Sequence, residues 1–218
     1  METWQGTEAL ILSGSPEQEV GYVASFLQAH PSVKVVCADS GTRHLAKLHC
    51  HPDLIVGDFD SSVCPDIDCE RIQLVPEKDD TDTMHALQVV IDRGCTSVWI
   101  ACATGGRLDH LLSNLSLCEY AWERGCTCRI LDAQNELFFV DSDTIELARD
   151  DAYKYFSIIP LDYTLHGVSI TGAKYPLSDA SVTRSTMYTI SNEVTASHAR
   201  IAIKQGRAFI IRSRDRAR

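Results

Sequence analysis

The sequence predicts an α/β chain in two parts: an N-terminal doubly wound, mostly parallel α/β domain, then a smaller antiparallel β-sandwich or barrel domain. Two observations carry this. Over the first two-thirds, short apolar runs alternate with stretches of helical periodicity, as expected for strands and helices built around a parallel sheet. Beyond residue 133 no convincing amphipathic helix occurs, and short β-rich segments separated by turn formers follow. The division is placed at about residue 140, giving a domain over 1–140 and a second over 141–218.

Taken in order, Ala9, Leu10, Ile11 and Leu12 read as a strand closed by Ser13, Gly14, Ser15 and Pro16. Pro16 suits a first helical turn, and Glu17 and Glu19 complement the helix dipole. Val20, Val23, Ala24 and Leu27 then give a helical stripe up to His30 and Pro31. Residues 33–38 form a second buried strand, ending at Asp39, Ser40 and Gly41, and a short helix through His44, Leu45 and Leu48 follows. Leu54, Ile55 and Val56 are a continuous apolar run of the kind buried on both faces of a sheet. Residues 71–75 make another strand candidate. The next helix begins near P-E-K-D-D-T-D (76–82), carries Met84, Leu87 and Ile91 on one face, and stops at Gly94. Residues 97–103 are a strong strand. Thr104, Gly105 and Gly106 then turn into a helix with Leu108, Leu111, Leu112, Leu115 and Trp122 at helical spacing, ended by Gly125. The later β segments fall at 137–140, 144–147, 153–159, 167–170, 194–203 and 208–211.

The chain has 218 residues, 44% of them hydrophobic and 23% charged, which suits one large or two small soluble domains. A net charge of −10 argues against general binding to nucleic acid or anionic membranes, which needs a basic footprint. A small phosphorylated ligand stays open, because it needs only a local set of cations and backbone donors. No apolar run approaches the roughly 18 residues of a membrane span. The start, M-E-T-W-Q-G-T-E, lacks the basic-then-apolar order of a signal peptide. The nine cysteines are odd in number and contain no C-x-x-C pair. Several sit in apolar runs, where Cys behaves as a small hydrophobe, so free thiols in a reducing cytoplasm are expected. His44, His49, Cys50, His51, Cys64 and Cys69 crowd one region, but their spacing matches no familiar zinc pattern.

Four polar constellations carry chemistry. After the Leu54 run, Gly57 releases Asp58 and Asp60 at alternate positions, which in extended chain point to one side. Two adjacent carboxylates favour a cation between them, and hard oxygen ligands at this spacing suit Mg²⁺ carrying phosphates. The bland reading is a capped turn. The second constellation, Lys78, Asp79, Asp80, Thr81 and Asp82, exceeds what capping a helix requires. The third is Thr104, Gly105, Gly106, Arg107, Leu108, Asp109 and His110. Its paired glycines let backbone N–H groups approach an anion at a helix N-terminus, and Arg107 adds a bidentate cation. Asp39 and Ser40, also at a strand end, complete the set. All four are expected on one rim of the sheet, where open α/β sheets bind ligands. There is no Walker A or G-x-G-x-x-G sequence, so ordinary P-loop kinases and Rossmann dehydrogenases are poorly supported.

These residues resemble the thiamine pyrophosphokinase family in its bacterial-type form. The resemblance lies in A-D-S-G-T-R-H-L (38–45), P-D-L-I-V-G-D-F-D-S-S (52–62), K-D-D-T-D-T (78–83), G-G-R-L-D-H (105–110), G-A-K-Y-P-L (172–177) and S-N-E (191–193). The first motif usually reads A-D-G-G-A, so Ser40, Thr42 and Arg43 depart from it. The resemblance implies transfer of a pyrophosphoryl group from ATP to the hydroxyl of thiamine, giving thiamine diphosphate and AMP. It also implies a homodimer with active sites between subunits. In that reaction Asp58, Asp60 and Asp82 hold Mg²⁺, and Lys78 and Arg107 are fixed cations. Asp39, Ser40, Thr81, Thr104, Gly105, Gly106, Asp109 and His110 surround ATP, and Ser191 and Asn192 contact thiamine. Two other classes compete. Asp58, Phe59, Asp60 and Ser61 after a buried strand also resemble the nucleophile loop of haloacid-dehalogenase phosphatases. The non-enzymatic reading is a nucleotide- or thiamine-sensing module.

Overall fold

The structure, a computed structural model, describes residues 3–16, 19–58, 66–75, 80–186 and 188–215. The chain divides into two compact units, Met1–Ala133 and Gln134–Arg218. Among the described residues no helix is long and apolar enough to cross a membrane.

The described part of the first unit holds β1 (Glu8–Leu12), β2 (Lys34–Ala38), β3 (Leu54–Gly57), β4 (Glu70–Gln73), β5 (Ser97–Ala101) and β6 (Thr127–Leu131). They run parallel in the order β4-β3-β2-β1-β5-β6. Residues 9–12 of β1 are all fully buried, the result of helices on both sheet faces. On one face Leu10, Leu12, Val35, Cys37 and Ile55 pack with Val20, Val23, Leu45 and Leu48, from or beside α1 (Gly21–Ala29) and α2 (Leu45–Leu48). Alternate strand residues such as Ala9, Ile11 and Val36 point the opposite way. The remaining helices, α3 (Asp82–Asp92) and α4 (Leu108–Trp122), pack on each other, with α3 against β1, β2 and β3 and α4 against β6. The chain winds outward from β1 to β4 and then returns to place β5 on the other side of β1. The reversal leaves a crevice at the carboxyl ends of β1 and β5.

Several sequence expectations shift. The first helix starts at Gly21, so Pro16 lies in the loop before it, where it packs close to Gly106. The buried residues of α3 are Thr83, Ala86, Leu87 and Val90, while Met84 and Ile91 are only half-buried. In α4 the inward face is Asn114, Leu117, Cys118 and Ala121, and Leu108 and Leu112 are 72% and 61% exposed. The leucine spacing there is helical, but the small residues at 118 and 121 let the other side approach the sheet. A short 3-10 turn over Asp39–His44 precedes α2.

In the second unit the strands are β7 (Asn135–Asp141), β8 (Thr144–Ala148), β9 (Tyr155–Pro160), β10 (Thr164–Thr171), β11 (Leu177–Thr183), β12 (His198–Ala202) and β13 (Arg207–Ser213). All pair antiparallel, as β7-β13-β9 and β11-β10-β12-β8. Val140, Phe156, Ile158 and Ile210 of the first group meet Leu147, Leu165, Val168, Ile170 and Ile201 of the second in one apolar core. This is a small sandwich. Because β7 pairs with β13, residues 135–141 belong to it, and the units part slightly before the position read from sequence. Two strands were not anticipated. Of these, β6 is short, with polar Thr127 and Arg129 alternating with apolar positions, and β11 is an edge strand with polar residues at most positions.

Candidate active site

The rim of the first unit is built from loops that interlock through glycines. After β1, the Ser13 N–H donates to Ala101 O and the Ser15 N–H to Cys102 O, both at 2.9 Å, which ties residues 13–15 to the end of β5. The Ser13 and Thr83 hydroxyls lie 2.8 Å apart, linking the same loop to α3. After β2, Asp39 takes a left-handed conformation (φ 41°) while almost fully buried, a strained state that clusters at functional sites. Gly41 then passes Leu12 so closely that a Cβ would fall 2.0 Å from the Leu12 carbonyl oxygen. Gly57, at the end of β3, faces the Asp39 Cα in the same way, at 2.9 Å.

These loops enclose a cavity of about 420 Å³. Residues 13–16 line it from β1; Asp39, Ser40 and Arg43 from β2; Thr81, Asp82 and Thr83 from α3; and Gly105, Gly106, Arg107, His110 and Asn114 from the turn and helix after β5. Thr81 caps α3, its hydroxyl accepting from the Met84 N–H at 3.2 Å, so the first turn of that helix opens on the cavity. The convergence read from sequence is present for Asp39, Ser40, Thr81, Asp82, Gly105, Gly106, Arg107 and His110. Thr104 and Asp109 are not among the lining residues. The Thr104 hydroxyl donates to Asp132 at 3.0 Å, bracing the turn from behind.

Charge is balanced across the cavity. Asp39 and Asp82 line it together with Arg43 and Arg107. The Arg107 guanidinium forms a two-point pair with Asp109, whose carboxylate also accepts from the His110 N–H. The Arg107 guanidinium, then that N–H, hold the Asp109 carboxyl at about 2, far below its usual range. Asp58 follows β3 and is not among the lining residues; it is half-buried, with its carbonyl accepting from Gln73 Nε2 at 3.0 Å. Asp60 and Lys78 lie outside the described residues, as does Cys64. Among the described residues no three His, Cys, Asp or Glu side chains are gathered as a metal would need. The donor chemistry still fits Mg²⁺ with phosphates, because hard carboxylate oxygens on Asp58 and Asp82 are what an ion keeping most of its waters requires. The cysteines described are all free, mostly in the core.

Sequence reasoning missed four contributors. Ser13 and Ser15 read as loop punctuation, and His44 as part of a short helix. His44 is in fact 1% exposed, with Nε2 3.0 Å from the Ser15 carbonyl oxygen. Asn114 is buried, donating through Nδ2 to Ala103 O at 2.9 Å. The available signal was an Asn on the inward stripe of α4, where an apolar residue is expected.

In the second unit Asn192 is 4% exposed and its amide is committed. Oδ1 accepts from the N–H groups of Tyr175 and Glu193, both at 2.9 Å, and Nδ2 donates to Tyr175 O at 2.8 Å. Its backbone pairs with Phe156 in both directions at 2.8 Å. Ser191 is left-handed (φ 56°), and its N–H donates to Ser157 Oγ at 3.0 Å. The Tyr175 ring is 57% exposed, with Lys174 Nζ 5.6 Å from its centroid.

Residues 28–130 match the family model "Thiamin pyrophosphokinase, catalytic domain", and residues 142–207 match "Thiamin pyrophosphokinase, vitamin B1 binding domain". The thiamine pyrophosphokinase of Bacillus subtilis is 28% identical over 213 residues, covering 94% of this chain and 98% of the relative. A crystal structure of that enzyme superimposes with a TM-score of 0.86 at 27% identity, covering 96% and 100% of the two chains. The thiamin pyrophosphokinase structure from Geobacillus thermodenitrificans gives 0.84 at 30% identity, covering 97% and 99%.

Proposed function

The chain belongs to the thiamin pyrophosphokinase family, and on that premise we propose that its first unit binds ATP and drives pyrophosphoryl transfer to the thiamine hydroxyl, releasing AMP. The observation that carries the reading is the cavity at the β1–β5 reversal, which brings carboxylates, arginines and a glycine turn to one rim. Thr81 and the first turn of α3, with Gly105 and Gly106, present backbone N–H groups to the phosphates. Arg107 and Lys78 supply fixed positive charge, and Arg43 lies on the same rim. Asp39, Ser40, Thr104, Asp109 and His110 shape and brace the nucleotide site. Asp58, Asp60 and Asp82 would hold Mg²⁺, which would neutralise the triphosphate charge. A carboxylate of the Asp58 and Asp60 pair takes the hydroxyl proton late in the transfer. Holding the alcohol in line with the β-phosphorus is a positioning effect worth several kcal/mol.

The second unit carries the thiamine side of the site in this reading. Asn192 fixes the backbone of the segment that displays Tyr175, and Ser191 turns the chain beside it. Homodimerisation, with sites shared between subunits, comes from the family resemblance, and the free cysteines fit a cytoplasmic setting. Incubation with ATP, Mg²⁺ and thiamine, resolving AMP from ADP, tests the function. Thiamine-dependent AMP is expected; ADP alone, inorganic phosphate alone, or no turnover refutes it.

A further inference from the structure

The loop after β1 carries a polar group that the family motifs do not use. Ser15 is 8% exposed and lines the cavity, yet its Oγ has no hydrogen-bond partner among the described residues. The rest of Ser15 is fully engaged, its N–H on Cys102 O and its carbonyl on His44 Nε2. A buried hydroxyl left unpaired is costly, and in native structures such a group calls for a missing partner.

The loop backbone is held in place on both sides of Ser15. Ser13 is tied to Thr83, Ser40 Oγ sits where a Cβ on Gly14 would come within 2.2 Å of it, and Pro16 packs on Gly106, 3.1 Å from the position a Cβ there would take. Gly106 is left-handed (φ 84°), so the β1 and β5 loops meet with little side-chain bulk between them. The cavity carries two arginines and two carboxylates, Asp39 and Asp82, a balance that suits a phosphate chain carried with Mg²⁺. Arg43 and Arg107 line the same cavity, and among the described residues Arg43 is anchored through Nε alone, on Ser40 O at 2.8 Å, with its terminal nitrogens placed for a ligand.

Resting on the function proposed above, we infer that Ser15 is a nucleotide-binding residue whose hydroxyl donates to a phosphoryl oxygen of the triphosphate, on the side of the cavity flanked by Arg43. The contact forms no covalent bond. It positions the phosphate chain from the β1 side, beside the glycine turn.

The test compares the full chain with Ser15→Ala by calorimetric binding of MgATP, inorganic tripolyphosphate and adenosine, together with melting temperature without ligand and steady-state kinetics. Ser15→Ala is expected to weaken MgATP and tripolyphosphate binding by about 10-fold. Adenosine binding and the thiamine KM stay unchanged, and the ligand-free melting temperature does not fall. Unchanged MgATP affinity overturns the inference, as does weakened adenosine binding with tripolyphosphate unaffected. If Ser15→Ala does not fold, Ser15→Cys keeps the size while removing most of the donor strength. Failure of both to fold makes the hydroxyl structural and overturns the inference too. A wild-type chain that binds tripolyphosphate but forms no AMP refutes the function while leaving the Ser15 contact measurable.

Discussion

The side-chain amide of Asn192 grips the backbone of Tyr175 at two points, accepting from its N–H at 2.9 Å and donating to its carbonyl at 2.8 Å. The family resemblance read from the sequence implied that Asn192 contacts thiamine. The grip gives it a different way to act on the same ligand, by holding an exposed tyrosine in place. Asn192→Ala removes three buried hydrogen bonds and is expected to cost about 2–3 kcal/mol, visible as a lowered melting temperature. It also raises the thiamine KM while sparing that of ATP. Tyr175→Ala separates the two effects: the thiamine KM rises, and stability holds because the ring is exposed. If Asn192→Ala leaves the melting temperature intact, the grip contributes nothing.

Asp58→Asn and Asp82→Asn each remove a charge from the proposed Mg²⁺ site. Turnover is expected to fall at least about 100-fold, with the remaining activity needing more Mg²⁺. Stability changes little. Asp82, in the first turn of α3, loses a dipole interaction of about 0.3–1 kcal/mol. Magnesium titrations of initial rate check this, and near-normal rates at ordinary Mg²⁺ refute the metal assignment.

Arg107→Lys keeps the charge but loses the planar fork that pairs with Asp109 and, in the proposed reaction, with phosphate. The ATP KM is expected to rise about 10-fold. The melting temperature stays put, because Arg107 and Asp109 are 75% and 62% exposed. Equal ATP kinetics in the two proteins would reduce Arg107 to a surface residue.

His44 gives a pH dependence. Burial, opposed by its hydrogen bond to Ser15 and aided by nearby Arg43 and Lys47, holds its pKa below the usual histidine value. The unfolded chain therefore takes up this proton first. The stability that depends on neutral His44 is present above about pH 6.5 and is lost as pH falls toward the depressed folded-state value. His44→Gln keeps a donor for the Ser15 carbonyl and cannot titrate, so the difference in melting temperature between wild type and variant should narrow on acidification from pH 7 to 5. Parallel curves would show that His44 does not titrate on unfolding.

The parallel sheet, the sandwich and the acidic rim were legible in the sequence because each rests on short-range rules. Continuous apolar runs mark strands buried on both faces, Asp39 and Asp58 stand directly at strand ends, and the Gly105-Gly106 turn lies in the loop between β5 and α4. The edge strand β11 escaped because an exposed edge needs no apolar alternation, and the inward face of α4 was misread because Asn114, Leu117, Cys118 and Ala121 form it rather than the stripe of Leu108, Leu111, Leu112 and Leu115. Ser15, His44 and Asn192 could not be read locally at all. Their roles depend on partners such as Cys102 and Tyr175, brought near by the winding of the sheet and the closing of the sandwich. Sequence determined which groups can bind phosphate, since that is a property of residue type and strand end. Tertiary structure decided which polar groups are already committed to one another and which are left for a ligand, because a hydrogen bond is settled by where its partner lies in space.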